Sequence, residues 1–134
     1  MLAELRHLRD RPVLLALRLD AGPWEVVRVR CVLVGVVGRL QGDLPLLPAT
    51  DPADGLLDVA VLAPHGLADW SRVAVRVLRG SDCEDDRSRR CQARTVDVLL
   101  AEARPYELDG DVRKPTRALH IGVDAGALTV RVPR

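Results

Sequence analysis

The strongest constraint on the fold is a two-residue alternation of apolar and polar side chains that recurs along most of the chain. It begins at Val13 in VLLALRLD, resumes in WEVVRVRCVLVGVV, and returns in LLDVAVLAP and in several segments after Arg90. Side chains of a β-strand point alternately to opposite faces, so this period predicts strands with one buried face. The breaker-rich AGP between the first two runs predicts that they pair as a hairpin.

Two segments carry a helical period instead. Residues 2–9 place three leucines on one face and end before Pro12, which predicts a short starting helix. Residues 66–80 place apolar side chains at helical spacing opposite a row of arginines, and Gly80 is a suitable stop. The order of elements predicts a mostly β, α+β fold, namely an antiparallel β-sandwich with one or two short helices.

Glycine, proline and charge mark the connections. Residues 38–55 contain six glycines and prolines, which predict a long loop of the kind that is usually functional or disordered. The mixed-charge residues 81–90 predict a solvated loop. Strand patterns then run through CQARTVDVLLAEA, PYELDGD, ALHIGVD and ALTVRVP. The last two join at residues 124–127, where Gly126 is expected to take a positive φ in a hairpin turn.

Length and composition limit the class of protein. The chain has 134 residues, 48% apolar and 29% charged, with a net charge of +1, so we expect one globular domain over residues 1–134. One tyrosine, two tryptophans and no phenylalanine disfavour the base stacking that single-stranded nucleic acid binding uses. Three cysteines without a C-x-x-C pair fit a reducing compartment, and no apolar run approaches the roughly 18 residues of a spanning helix. These features predict a cytoplasmic protein without a transmembrane segment or a nucleic acid partner.

The segment DPADGLLD, residues 51–58, is the first of two candidate sites. An EF-hand loop is excluded because its third, fifth and twelfth positions would hold Ala53, Gly55 and Leu62. Two interpretations remain. In one, Asp54 bonds its own backbone in a type I turn. In the other, the Asp54 carboxylate and neighbouring backbone carbonyls coordinate a hard cation such as Mg²⁺.

The segment YELDGDVRKPT is the second candidate site, with Asp109, Gly110 and Asp111 between two predicted strands. Asp-Gly between strands is a common hairpin signal, so a purely structural turn is one interpretation. In the other, Asp111 is a carboxylate presented at a loop tip, where it accepts a proton from a substrate hydroxyl. Spacing alone does not choose between them.

In combination and in this order, VLVGVVGRLQGDLPLLPATDPADGLLDVAVL, YELDGD and GALTVRVP resemble the C-terminal β-sandwich of the diacylglycerol kinase, sphingosine kinase and ceramide kinase family. The similarity runs from about Arg28 to Pro133. In that family ATP binds an N-terminal α/β domain with a Gly-Gly-Asp-Gly-Thr motif, and the lipid enters between the two domains. The resemblance implies that ATP is a co-substrate held by an absent N-terminal domain and that this chain alone is inactive.

Carried over residue by residue, the resemblance also implies site residues. A structural Mg²⁺ would be bound by the Asp54 carboxylate and by backbone oxygens of Asp51 and Leu56. Asp111 would be the proton acceptor that takes a proton from the lipid hydroxyl as this attacks the γ-phosphate of ATP. The family usually has glutamate at that position, and aspartate is shorter by one methylene group.

Two hypotheses on function follow. In the first, the chain is the lipid-side domain of a cytoplasmic lipid kinase that meets its substrate at the inner membrane face and works with an N-terminal nucleotide-binding domain or a second chain. In the second, it is a non-catalytic lipid- or protein-binding remnant of such a kinase. The aspartate at position 111 and the loss of the family's glycine-rich turn at residues 40–42 favour the second. Either way, exposed sheet edges and apolar cleft walls predict a homodimer or aggregation.

Overall fold

The computed structural model describes residues 11–36, 39–40, 44–45, 53–63, 68–69, 71–72, 75, 88–127 and 129. The helix predicted over residues 2–9 lies outside this part of the chain, as does nearly all of the last predicted strand, ALTVRVP. The described part contains no helix that is long and apolar enough to cross a membrane.

The described residues form nine strands, and every pairing between them is antiparallel. In chain order the strands are β1 Val13–Leu19, β2 Glu25–Val29, β3 Cys31–Gly35, β4 Arg39–Leu40, β5 Leu44–Pro45, β6 Leu57–Leu62, β7 Ser88–Ala93, β8 Thr95–Leu108 and β9 Asp111–Gly122. β2, β1, β8 and β9 form a four-stranded sheet in that order, and β3, β6 and β7 form a three-stranded sheet. β4 and β5 pair with each other.

The predicted hairpin between the first two apolar runs is confirmed. Val13 lies opposite Val29 and Leu15 opposite Val27, so the apolar side chains that point toward the core are in register. The turn between them holds Asp20 and Ala21 at φ values of 49° and 57°.

The two larger sheets share one hydrophobic core, which confirms the predicted antiparallel β-sandwich. The core draws alternate residues from strands of both sheets: Leu15, Leu17, Val29, Val96 and Val98 from the four-stranded sheet, and Leu57, Val59, Val61 and Ala93 from the three-stranded sheet. An ion pair also links the sheets, with Arg89 Nη2 of β7 at 2.7 Å from Glu25 Oε2 of β2.

The run WEVVRVRCVLVGVV was expected to be one long strand, and the structure divides it at Arg30. β2 before this residue belongs to the four-stranded sheet, and β3 after it belongs to the three-stranded sheet. The Arg30 amide donates to the Leu62 carbonyl oxygen at 2.8 Å, so the backbone stays paired through the corner. Strands that turn a corner between packed sheets keep their alternation, which is why the pattern did not reveal the break.

The predicted strand CQARTVDVLLAEA is divided in the same way at Arg94, between β7 and β8. Asp20 holds this second corner, because its Oδ1 accepts hydrogen bonds from the amides of Arg94 and Thr95 at 2.7 and 3.0 Å. The two corners together join the sheets at both ends of the sandwich.

Two predicted loops contain short paired segments. β4 and β5 lie within residues 38–55. Each strand has only two residues, and the two form a short antiparallel pair inside this segment rich in glycine and proline. The charged segment 81–90 is also not entirely a loop, because residues 88–90 pair with β6 as the start of β7. Within residues 66–80, positions 68, 69, 71, 72 and 75 are helical, as predicted.

Candidate functional site

Asp111 is the first residue of β9 and directly follows the turn from β8. Leu108 and Asp111 are paired, so the loop has two residues, Asp109 and Gly110, with φ values of 52° and 87°. Two successive positive φ values define the type I′ turn, whose twist matches that of the flanking strands. The hairpin interpretation of Asp-Gly is therefore confirmed, and this turn leaves the Asp111 side chain exposed to solvent.

The turn is the tip of a two-stranded ribbon, which we define as residues 101–117. The pairing of β8 with β1 runs from Val96 to Leu100, and beyond that point β8 continues only against β9 within the described residues. The register shifts twice, between Leu99 and Arg104 and between Arg104 and Tyr106. Such bulges bend and twist a hairpin, so they set the direction in which the ribbon presents Asp111.

One side of the ribbon carries Asp111 together with three neighbours. Leu108 is its cross-strand partner. Tyr106 lies opposite Arg113, two residues further from the turn on each strand. The Arg113 guanidinium Nη2 is 3.7 Å from Asp111 Oδ2. An exposed pair at this distance orients a carboxylate only weakly, so the group remains available to other partners.

The other side of the ribbon carries Glu107 and its partner Val112, which are both exposed to solvent. Burial raises the pKa of the Cys31 thiol, and the negative charge of Glu107 raises it further, which places Glu107 near the start of β3. Because side chains alternate along a strand, the neighbouring Leu108 points to the opposite side of the ribbon from Glu107. Asp111, its partner, shares that side of the ribbon with Leu108.

Asp54 lies just before β6, where its Oδ1 accepts a hydrogen bond from the Leu56 amide at 2.8 Å. The hydrogen bond that the turn interpretation expects is thus present. Gly55 between them has a φ of 71°, and a Cβ atom at this position would approach the Ala125 Cβ to 3.0 Å. The close approach requires glycine here and fixes the loop against the turn that follows β9.

The surroundings of Asp54 are compatible with a hard cation. A carboxylate has about four lone-pair positions that can accept a hydrogen bond or bind a cation, and the Leu56 amide occupies one of those of Asp54. Burial raises the pKa of the nearby Asp58 carboxyl, and the charge of Asp54 adds to this rise, while the hydrogen bond from Gln92 opposes it. Asp51, the third predicted contributor, lies outside the described residues.

Side chains alone do not form a metal centre in this part of the molecule. Where the structure describes the chain, no group of three histidine, cysteine, aspartate or glutamate side chains converges. A cation at Asp54 would therefore need backbone carbonyls and water, which is the coordination that Mg²⁺ and Ca²⁺ accept.

The two candidate sites lie toward opposite ends of β6. Asp54 precedes Leu57, the first residue of that strand. Cys31, whose thiol is influenced by Glu107 in the ribbon, is paired with Leu62, the last residue of the strand. Asp54 and Asp111 therefore belong to separate sites.

A row of interacting side chains that the sequence did not indicate crosses the four-stranded sheet. Asp97 of β8 accepts from Arg18 Nε at 2.9 Å through its Oδ2, and its Oδ1 lies 2.6 Å from His120 Nδ1 of β9. The Arg18 guanidinium carbon is 4.6 Å from the centre of the Trp24 ring, a cation–π distance. The signal that would have found the row is register, because Arg18, Asp97 and His120 are direct cross-strand partners.

The Asp97 contacts predict a dependence of stability on pH. The hydrogen bond with His120, and then that with Arg18, lower the pKa of the Asp97 carboxyl. Such a carboxyl stabilises the fold above its unfolded pKa of about 3.9, and the contribution is lost as the pH falls through the lower folded value. We therefore expect stability to decrease more between about pH 6 and about pH 3 in the natural chain than in Asp97→Asn. Urea unfolding midpoints at both pH values measure this, and equal decreases would contradict it.

The geometry defines a class of protein domain: a two-sheet antiparallel β-sandwich with an acidic turn before a core strand and an acidic residue after a two-residue hairpin. Residues 1–132 match the model of the YegS C-terminal NAD kinase beta sandwich-like domain, and the chain belongs to this family. The resemblance noted in the sequence is confirmed.

Curated relatives give the same assignment. The chain is 31% identical over 134 residues to "Diacylglycerol kinase" of Mycobacterium tuberculosis, covering 100% of this chain and 42% of the relative. It is 32% identical over 79 residues to "Diacylglycerol kinase" of Bacillus subtilis, covering 59% of this chain and 26% of the relative. The chain thus spans less than half the length of these relatives.

The fold also matches a solved structure. The crystal structure of a diacylglycerol kinase from Bacillus anthracis superimposes with a TM-score of 0.73 at 21% sequence identity, covering 92% of this chain and 43% of the other. Identity at this level supports the shared fold alone.

Proposed function

We propose that this chain is the lipid-side domain of an ATP-dependent, diacylglycerol-kinase-like enzyme. The observation that carries the proposal is the 31% identity along the whole chain to a diacylglycerol kinase more than twice as long. The rest of such an enzyme would supply the nucleotide-binding domain, either in one polypeptide or as a second chain. It would act in the cytoplasm at the inner membrane face.

Asp111 is the proposed proton acceptor. The lipid hydroxyl oxygen attacks the γ-phosphorus, its proton moves to the Asp111 carboxylate, and the bond to the leaving ADP oxygen breaks. The exposed position after a type I′ turn suits this role, because a carboxylate in solvent at the ribbon tip is accessible to a lipid hydroxyl. Arg113, whose Nη2 is 3.7 Å from Asp111 Oδ2, would place a positive charge beside the reacting hydroxyl.

Asp54 is proposed as a ligand of a structural Mg²⁺, together with backbone oxygens of Asp51 and Leu56. Its carboxylate is oriented by the Leu56 amide and fixes the loop that enters a core strand. ATP bound to the nucleotide-binding domain would supply the phosphoryl group. The roles of this chain are then to bind and orient the lipid, to hold the loop at Asp54, and to accept the proton at Asp111.

A chimaera tests the proposed function. We would replace the matching segment of the Mycobacterium tuberculosis relative with this chain and measure diacylglycerol-dependent ATP turnover. Turnover that requires both the lipid and the inserted domain is the expected result. A folded chimaera that binds ATP but shows no lipid-dependent turnover would favour the non-catalytic alternative.

The variant Asp54→Asn separates a metal ligand from a turn residue. The asparagine side-chain oxygen still accepts from the Leu56 amide, so we expect thermal stability without Mg²⁺ to change little. The natural chain should gain stability as Mg²⁺ rises above its dissociation constant, by about 2.7 kcal/mol at a hundredfold excess, and the variant should lose most of that gain. Melting temperature against Mg²⁺ concentration measures both. The metal assignment fails if Mg²⁺ stabilises neither protein or stabilises both equally.

A further inference from the structure

The four-stranded sheet has an unusual outer face, meaning the face that points away from the core. Its central row is apolar on all four strands, since Val26, Ala16, Leu99 and Ala118 are successive cross-strand partners. Antiparallel sheets that bury one face normally present polar side chains on the other. An apolar row across a whole sheet is therefore a sign of an interaction surface.

The exposed side chains on this face are large. Leu14, Trp24, Val26 and Leu99 are 53%, 42%, 69% and 45% exposed. Leu14 flanks the apolar row on one side, and the stacked Trp24 and Arg18 flank it on the other. Tryptophan and arginine around an aliphatic centre are the residue types that settle at the boundary between lipid head groups and acyl chains.

The charged side chains on this face sum to a neutral or positive net charge. Asp97 is paired with Arg18, and in the ribbon Asp111 and Glu102 are paired with Arg113 and Arg104. Arg28, opposite Leu14, adds a further positive charge. Each of these carboxylates therefore has an arginine beside it, and Arg28 adds to them, so an anionic lipid surface would meet arginines across this face.

The candidate proton acceptor lies on the same side of the molecule. Thr116 is two residues from Ala118 of the apolar row and is the partner of Arg104, so the outer face continues into the ribbon. The register shifts between Arg104 and Tyr106, but the extra residue there is on β9, so Arg104, Tyr106 and Leu108 alternate regularly along β8 and share one side. Leu108 is in turn paired with Asp111.

From this arrangement we propose that the outer face of the four-stranded sheet, with the Leu108 side of the ribbon, is a docking surface for an anionic lipid bilayer. A specific dimer is the less suitable occupant by size. The face is four strands wide, at about 4.8 Å per strand, and about 13 Å long between Leu14 and Arg18, so its area is roughly 250 Å². A standard protein interface buries about 800 Å² on each partner. This proposal rests on the proposed function in one respect, namely that the bilayer contains the lipid substrate. Docking in this orientation would present Asp111 on the membrane side of the molecule.

Vesicle binding tests the docking surface without any catalysis. The 134-residue chain is mixed with vesicles of phosphatidylcholine, alone or with phosphatidylglycerol, and bound protein is measured by sedimentation. We expect tighter binding to the phosphatidylglycerol mixture and a blue shift of tryptophan emission that Trp24→Phe removes. Val26→Asp should weaken binding by about tenfold, since it replaces an inserted aliphatic side chain with a charge.

Val112→Asp is the matched control. Val26 and Val112 are equally exposed, at 69%, but Val112 is the partner of Glu107, on the side of the ribbon opposite Leu108 and Asp111. We expect this variant to bind vesicles as the natural chain does, and circular dichroism checks that both variants are folded. Equal weakening by both variants, or no binding by the folded natural chain, would overturn the proposal.

Two outcomes distinguish membrane docking from dimerisation and from catalysis. If sedimentation equilibrium shows a dimer that Val26→Asp dissociates, and vesicles do not bind, the face is a contact between copies and the proposal is wrong. If vesicles bind as expected but the chimaera is inactive on detergent-dispersed lipid, the docking surface stands and the kinase function fails.

Discussion

The variant Asp111→Asn is expected to lower lipid-dependent ATP turnover of the chimaera by about 100-fold or more. The amide has nearly the shape of the carboxylate but does not accept the hydroxyl proton, so the chemical step loses its base. Affinity for the lipid should be almost unchanged, because the exposed apolar side chains are untouched. Steady-state kinetics with varied lipid concentration would show a reduced kcat at a similar KM.

Asp109→Asn provides the control on the same turn. Asp109 has a φ of 52°, a conformation that asparagine accepts readily, so the hairpin should be kept and turnover should stay near that of the natural domain. If Asp109→Asn reduces turnover and Asp111→Asn does not, the base has been assigned to the wrong acid. If neither reduces it, the ribbon tip does not take part in proton transfer.

Leu17→Ala is expected to lower the free energy of unfolding by about 3 kcal/mol. Leu17 is 1% exposed and belongs to the shared core. The core also contains Val96 from the adjacent strand of the same sheet and Val59 from the other sheet. Removing its side chain costs transfer free energy and leaves a cavity that the two sheets cannot fully close. Urea denaturation followed by circular dichroism measures the difference.

The comparison for this variant is Leu14→Ala. Leu14 lies in the same strand but points outward and is 53% exposed, so the expected loss is within about 0.5 kcal/mol. Similar losses from both substitutions would mean that the outer face is buried in the folded chain, or that the core does not lie between the two sheets.

Local patterns in the sequence were sufficient for most of the strands. The two-residue alternation predicted β1 and β2, because a strand with one buried face must alternate whatever its partners are. It also predicted β6, although Ala60 and Leu62 on the other face of that strand are buried as well. The Asp-Gly pair predicted the β8–β9 turn, because only a few residue types accept two successive positive φ values. Gly126 likewise has the expected positive φ, at 74°.

The corners at Arg30 and Arg94 were not predictable in this way. Each lies inside an unbroken strand pattern, and the chain passes from one sheet to the other there without a glycine or proline. What holds the corners is long-range bonding, from Arg30 to Leu62 and from Asp20 to Arg94 and Thr95. Contacts between residues far apart in sequence leave no local trace.

The sequence by itself determined the chemistry that this protein has available: two Asp-Gly turns, an antiparallel β fold, and a resemblance that the family match confirms. Only the tertiary structure decided where that chemistry lies. Register joined Arg18, Asp97 and His120 into one row, placed Asp54 and Asp111 toward opposite ends of β6, and put Asp111 on the side of the exposed apolar row. The physical reason is that side-chain identity and local conformation are set residue by residue, whereas faces and neighbours depend on pairing between distant strands.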